Sequence, residues 1–192
     1  MTYPDLWILR HGQTEWNLAG RMQGWLDSPL TDLGRQQAAT QNRLLWNADL
    51  PSGVTFHVSP LKRCRATASL ALRGLCDAPL VDERLKEVSV GEFEGLTLGD
   101  VEEGWPGITA PVDGLTFHYR APGGERFDEF RARIRAWLDD LDAPTVVVTH
   151  GMVSREMRGM LLGLDAAGAA GLPGGQGNIY RMSGGEMDVI QA

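Results

Sequence analysis

Two short apolar runs end in the same way, and this shared ending limits the fold more than any other feature of the chain. Leu6-Trp7-Ile8-Leu9 leads directly into Arg10-His11-Gly12, and Thr145-Val146-Val147-Val148-Thr149 leads into His150-Gly151. Continuous apolar runs of this length predict strands buried on both faces, as in parallel sheets covered by helices. A further strand is expected at 54–58, and two closing strands at 178–182 and 187–190, joined by Ser183-Gly184-Gly185-Glu186.

Helices fall between these strands. Thr31 is placed to cap a helix over 32–46, and Ser59-Pro60 looks like a second helix start, a capping serine with proline in the first turn. Over 125–141, Phe127, Phe130, Ile134, Trp137, Leu138 and Leu141 form one stripe, and a last helix follows His150-Gly151. Alternating strands and helices predict an α/β fold with a largely parallel sheet. With 192 residues, 1–192 is read as a single domain. The stretch 99–124 has six glycines, three prolines and no clear period, and is read as a loop-rich cap over one end of the sheet; 166–177 is read as a flexible connection.

Composition removes several functions. A net charge of −7 argues against nucleic-acid partners and anionic membranes. No apolar stretch is long enough to span a bilayer, and the N-terminal residues lack the basic and apolar regions of a secretory signal, so a cytoplasmic location is expected. Cys64 and Cys76 fit no metal or redox spacing and are read as reduced thiols; no metal or cofactor is expected. Nothing in the sequence sets an oligomeric state.

His11 and His150 would leave strand ends, where ligands of parallel α/β sheets bind. Gly12 and Gly151 permit close backbone approach to a ligand, and the helix after His150 offers an N-terminus to an anion. His57 and His118 are read as a strand and a loop residue, and substrate specificity is expected in the excursion over 99–124, with Trp105, His118, Tyr119, Arg120 and Arg126. Between 59 and 73 lie Lys62, Arg63, Arg65 and Arg73 and no acid, so an arginine there can face an anion; Arg10 can do the same. The segment 82–103 holds eight acids against two bases, and like-charge crowding in such a run raises the pKa of a partly buried carboxyl, which suits a general acid.

Leu9-Arg10-His11-Gly12-Gln13-Thr14-Glu15-Trp16-Asn17 resembles the signature of the histidine phosphatase superfamily, also called phosphoglycerate mutase-like. Four further pieces follow in that family's order: Gln23 to Thr31, Ser59-Pro60-Leu61-Lys62-Arg63 with Thr67-Ala68, Leu85-Lys86-Glu87 with Gly91 to Gly95, and Val148-Thr149-His150-Gly151. The resemblance implies a three-layer α/β/α sandwich. It implies His11 as the nucleophile that becomes phosphorylated, Arg10, Arg63 and His150 as the rest of the phosphate pocket, and Glu87 as proton donor and acceptor. Thr14, Asn17 and Gln23 are implied as ligand contacts. Two departures, Arg126 after Pro122-Gly123-Gly124-Glu125 and Met152 after His150-Gly151, touch substrate contacts and remove no catalytic group.

The implied activity is metal-independent hydrolysis of a small phosphate monoester through phosphohistidine. The alternatives are mutase-type phosphoryl transfer between hydroxyls of phosphoglycerate, and a non-catalytic module that binds a phosphorylated ligand. Dedicated mutases of the family resemble longer chains, which favours hydrolysis. Retention of His11, Arg10, Arg63, Glu87 and His150 together disfavours the binding module.

Overall fold

The computed structural model describes residues 3–110 and 116–191. Six strands form one mixed, mostly parallel sheet in the order β3-β2-β4-β1-β5-β6. They are β1 (Leu6–Arg10), β2 (Thr55–Val58), β3 (Leu80–Val81), β4 (Thr145–Thr149), β5 (Ile179–Ser183) and β6 (Glu186–Ile190). The first four run parallel, and β5 and β6 are antiparallel additions at the β1 edge.

Alternation along β1 divides the core in two. Leu6 and Ile8 face one side with Phe130, Ile134 and Trp137 of α5 (Phe127–Asp139) and Val153 and Met157 of α6 (Gly151–Leu161). Trp7 and Leu9 face the other with Leu45 of α2 (Asp32–Trp46) and Cys64, Ala68 and Ala71 of α3 (Lys62–Ala71). The result is the expected three-layer sandwich, because a strand buried on both faces has to be covered on both. Gly184 and Gly185 both take positive φ, as a two-residue hairpin turn that matches strand twist requires.

Local details correct or extend the expectations. Thr31 caps α2 as predicted, but Ser59 does not cap α3, which starts at Lys62 with Leu61 in the cap position. The edge strand β3 was not anticipated; two exposed residues carry no periodicity. Within 99–124, α4 (Leu98–Gly104) is closed by a reciprocal Thr97–Asp100 capping box, and 117–120 forms a 3₁₀ turn; positions 111–115 of that stretch lie outside the described residues. The stretch 166–177 opens with α7 (Ala166–Ala170), capped by Asp165.

Packing against α2 by itself requires a glycine at position 12. A Cβ at Gly12 would lie 2.2 Å from the Gly34 carbonyl oxygen, and one at Gly34 would lie 2.0 Å from that of Gln13. The loop after β1 is therefore pressed backbone to backbone on the start of α2, which immobilises His11.

Candidate active site

In the parallel pairing of β1 with β4, Arg10 lies opposite Thr149, so the next residues of both strands emerge side by side. The His11 and His150 ring centroids are 5.3 Å apart, edge to face. His11 Nδ1 lies 2.8 Å from the Gly12 carbonyl oxygen. A carbonyl only accepts, so Nδ1 carries the hydrogen and Nε2 keeps its lone pair. Burial, then the charges of Arg63 and Arg10, push the His11 pKa well below 6.5, outweighing the Gly12 hydrogen bond that favours the protonated form. The imidazole is held neutral.

His150 is fully buried and lies behind His11, outside the cleft lining. Its Nε2 is 2.7 Å from Ser59 Oγ and 3.3 Å from Cys64 Sγ, so Ser59 holds an imidazole instead of a helix end. Burial again dominates its depressed pKa, followed by the charges of Arg63, His11 and Arg10. The unfolded chain binds protons at these two histidines below about pH 6.5 and the folded chain does not. Stability is therefore expected to fall as pH drops below that value, with a slope approaching about 1.4 kcal/mol per pH unit for each histidine. His11→Asn should flatten the acid limb of urea midpoints measured between about pH 7.5 and about pH 5.5; an unchanged limb contradicts a neutral buried His11.

Arg63 lies in the first turn of α3 and is almost entirely buried. Its Nη1 donates to the Leu26 carbonyl at 2.7 Å and to Asp27 Oδ1 at 3.0 Å, and its Nη2 donates to the Gly24 carbonyl at 2.7 Å. Nε has no partner among the described residues. Three of the four outer N–H groups are thus spent on the loop 24–27, and one Nη2 N–H, the Nε–H and the charge remain for a ligand. Asp27 also accepts from the backbone N–H of Lys62 at 2.9 Å and Arg63 at 3.2 Å, capping α3 from a distant loop. Asp27→Ala removes the cap and the ion pair together. It is expected to cost about 2–4 kcal/mol in unfolding free energy by chemical denaturation; a loss under about 1 kcal/mol excludes the paired role.

Glu87 is held between two backbone donors. Its Oε1 accepts from its neighbour Val88 at 3.1 Å and its Oε2 from Met152 in the first turn of α6 at 3.2 Å. The anion expected at this helix N-terminus therefore includes Glu87 itself. The main-chain carbonyl of Glu87 is fixed as well, accepting from Trp25 Nε1 at 2.8 Å and Arg133 Nη2 at 3.0 Å. The Glu87 carboxylate is bonded by two backbone N–H groups, and its charge acts on Arg10 and His118. Burial lowers the Arg10 pKa and the Glu87 charge opposes that shift. Gly151 leaves room for the Arg10 guanidinium, since a Cβ there would approach it to 3.3 Å.

Arg10, His11, Asn17, Gln23, Arg63 and Glu87 line one cleft of about 250 Å³. Thr14 does not: its hydroxyl caps α1 (Glu15–Leu18) by accepting from the Asn17 N–H, and the residue is fully buried. His118, expected among the specificity residues, also lines the cleft, as do two residues not singled out from sequence, Arg21 and Arg155. Arg155 had a readable signal, lying one helical turn beyond Gly151 and so on the same face of α6. His118 is brought to the cleft by the 3₁₀ turn 117–120. Four guanidinium groups thus face one carboxylate in a chain of net charge −7. Such a cleft draws in a multiply charged oxyanion. Among the described residues no three His, Cys, Asp or Glu side chains converge as a metal site, and no helix is long and apolar enough to cross a membrane.

Fold and cleft together define an α/β protein that gathers fixed positive charge around an uncharged imidazole. The chain belongs to the histidine phosphatase superfamily (branch 1), whose family profile matches residues 6–188. It is 36% identical over 171 residues to a probable phosphoglycerate mutase, GpmB, of Erwinia tasmaniensis, covering 84% of this chain and 76% of the relative. A mycobacterial glucosyl-3-phosphoglycerate phosphatase, solved as a complex with VO3, superposes with a TM-score of 0.78 at 30% identity, over 98% of this chain and 99% of that one. A second structure, mycobacterial hydrolase 1, superposes with a TM-score of 0.82 at 31% identity, over 98% of each chain.

Proposed function

We propose that this protein hydrolyses a small phosphate monoester through a phosphohistidine formed on His11, without a metal. One observation carries the reading: the Gly12 carbonyl holds the Nδ1 hydrogen, leaving a neutral Nε2 lone pair in a cleft ringed by guanidinium groups.

Arg10 and Arg63 bind the phosphoryl oxygens and stabilise the charge that spreads over them in the transition state. His11 Nε2 attacks phosphorus in line, and the bond to the ester oxygen breaks. Glu87 gives that oxygen its proton. It then takes a proton from water, whose oxygen attacks phosphorus and breaks the N–P bond, releasing inorganic phosphate and restoring His11. His150, edge-on to His11 and fixed by Ser59, backs the nucleophile from outside the cleft lining.

Hydrolysis is favoured over mutase transfer by the likeness to the mycobacterial glucosyl-3-phosphoglycerate phosphatase, at 30% identity over 98% of this chain, although a mutase-named relative is also similar. Phosphoglycerate as substrate with inorganic phosphate as product supports a phosphatase, whereas an isomerised ester supports a mutase. The direct test is rapid acid-free quenching with p-nitrophenyl phosphate in EDTA. The expected result is EDTA-insensitive phosphate release and an acid-labile, base-stable phosphoryl group mapped to the peptide holding His11. Turnover with the label elsewhere, or turnover lost in EDTA, rejects the reading.

A further inference from the structure

The glycine-rich stretch from Gly171 to Gly177 is anchored to the cleft, and its anchor has a direction. Arg155 Nε donates to the Leu172 carbonyl at 3.1 Å and Arg158 Nη2 to the Pro173 carbonyl at 2.9 Å, so two arginines of α6 hold the stretch from one side. Gly175 and Gly177 take φ of +154° and +84°, which L side chains rarely adopt, and turn the chain inward between them. Gln176 then reaches the nucleophile's own backbone. Its Nε2 donates to the His11 carbonyl at 3.0 Å and to Asn17 Oδ1 at 3.2 Å.

These contacts leave no ambiguity in either amide. The His11 carbonyl only accepts, so Gln176 has to present its NH₂ group there. The backbone N–H of Thr14, 3.3 Å from Asn17 Oδ1, only donates, so Asn17 has to present its oxygen to Thr14. With Oδ1 receiving both Thr14 and Gln176, the Asn17 NH₂ group is turned the other way. Asn17 lines the cleft, and among the described residues its Nδ2 makes no hydrogen bond.

We propose that Gln176 is a positioning residue: by binding Asn17 Oδ1 and the His11 carbonyl together, it aims the Asn17 NH₂ group at the phosphoryl oxygens beside the nucleophile. The inference rests on the phosphoryl-transfer reading of the cleft. It assigns Asn17 as a donor and explains why a flexible-looking glycine stretch has to close at this point. Glutamate at 176 would set a carboxylate against two oxygens, and Asn17 cannot flip to relieve it while Thr14 donates.

A double-mutant cycle tests the coupling, using Gln176→Leu, Asn17→Ala and the pair, with kcat/KM for p-nitrophenyl phosphate and Kd for inorganic phosphate as readouts. Gln176→Leu is expected to lower kcat/KM about 10- to 30-fold in the wild-type background, as for one lost hydrogen bond to a charged group, and under about twofold beside Asn17→Ala. Gln176→Glu should lose more than Gln176→Leu, and Gln176→Asn should recover part of the loss. Equal losses from Gln176→Leu in both backgrounds overturn the proposal, because a strap that merely stabilises the fold acts independently of Asn17. If Gln176→Leu folds poorly, as seen by thermal unfolding, Gln176→Glu and Gln176→Asn are compared in the same cycle. A wild-type protein that binds phosphate without turnover overturns the proposed hydrolysis instead, and the cycle is then read in Kd alone.

Discussion

His11→Ala is expected to lower turnover of p-nitrophenyl phosphate by about 10⁴-fold or more while leaving the affinity for inorganic phosphate within about threefold of wild type. The two effects separate because the structure divides the work. On the proposed mechanism anion binding depends on Arg10 and Arg63, whose positions do not involve the His11 side chain: Arg63 is held by Gly24, Leu26 and Asp27, and Arg10 occupies the space left by Gly151. The imidazole's own hydrogen bond is to the adjacent carbonyl, so its removal breaks no long-range hydrogen bond, only the ring contact with His150. The loop stays in place through the His11 N–H, which donates to the Thr149 carbonyl at 3.0 Å, and through the Gly12 N–H, which donates to Thr67 Oγ1 at 3.0 Å. A variant that still binds phosphate but forms no phosphoenzyme isolates the nucleophile. Activity within tenfold of wild type would instead mean that water attacks phosphorus directly and that His11 only binds.

What the sequence disclosed and what it hid differ in physical kind. The apolar runs before His11 and His150 are buried on both faces of the sheet, so both strands were readable from residue type alone. Their parallel pairing then brings the two histidines together with no further information. Arg63 and Glu87 were legible only through the family signature, because what holds them is not local. Arg63 depends on carbonyls of the 24–27 loop, and Glu87 on Trp25, Arg133 and the start of α6. Such side-chain-to-backbone contacts between distant segments leave no period. Thr14 misled because a hydroxyl beside a signature histidine looks available to a ligand, whereas the first turn of α1 had already used it. The stretch 171–177 misled in the opposite direction. Its glycines suggest freedom, yet they supply the backbone angles that deliver Gln176.

Glu87→Gln is expected to separate the two chemical steps. With glycerol phosphate the leaving group is an alkoxide, which needs a proton as the P–O bond breaks. Its kcat/KM should fall by about 10²- to 10⁴-fold, the range for loss of a general acid. p-Nitrophenolate leaves without a proton, so kcat/KM for p-nitrophenyl phosphate should change by less than about tenfold. Its kcat should nevertheless fall, because water still has to lose a proton to attack phosphohistidine. Stopped-flow traces should then show a burst of p-nitrophenolate equal to the enzyme present, followed by slow release of phosphate. Both Glu87 oxygens accept backbone N–H groups and each retains a lone pair, so the carboxylate can be oriented and still exchange a proton. Glutamine sets its NH₂ against one of those donors, which is expected to cost about 1–2 kcal/mol of stability and is corrected for by denaturation of the variant. Equal losses of kcat/KM on the two esters, with no burst, would show that Glu87 shapes the cleft and moves no proton. The acid would then have to be sought among the other titratable groups that line it, of which His118 is one, its pKa depressed first by burial and further by Arg155 against the opposing charge of Glu87.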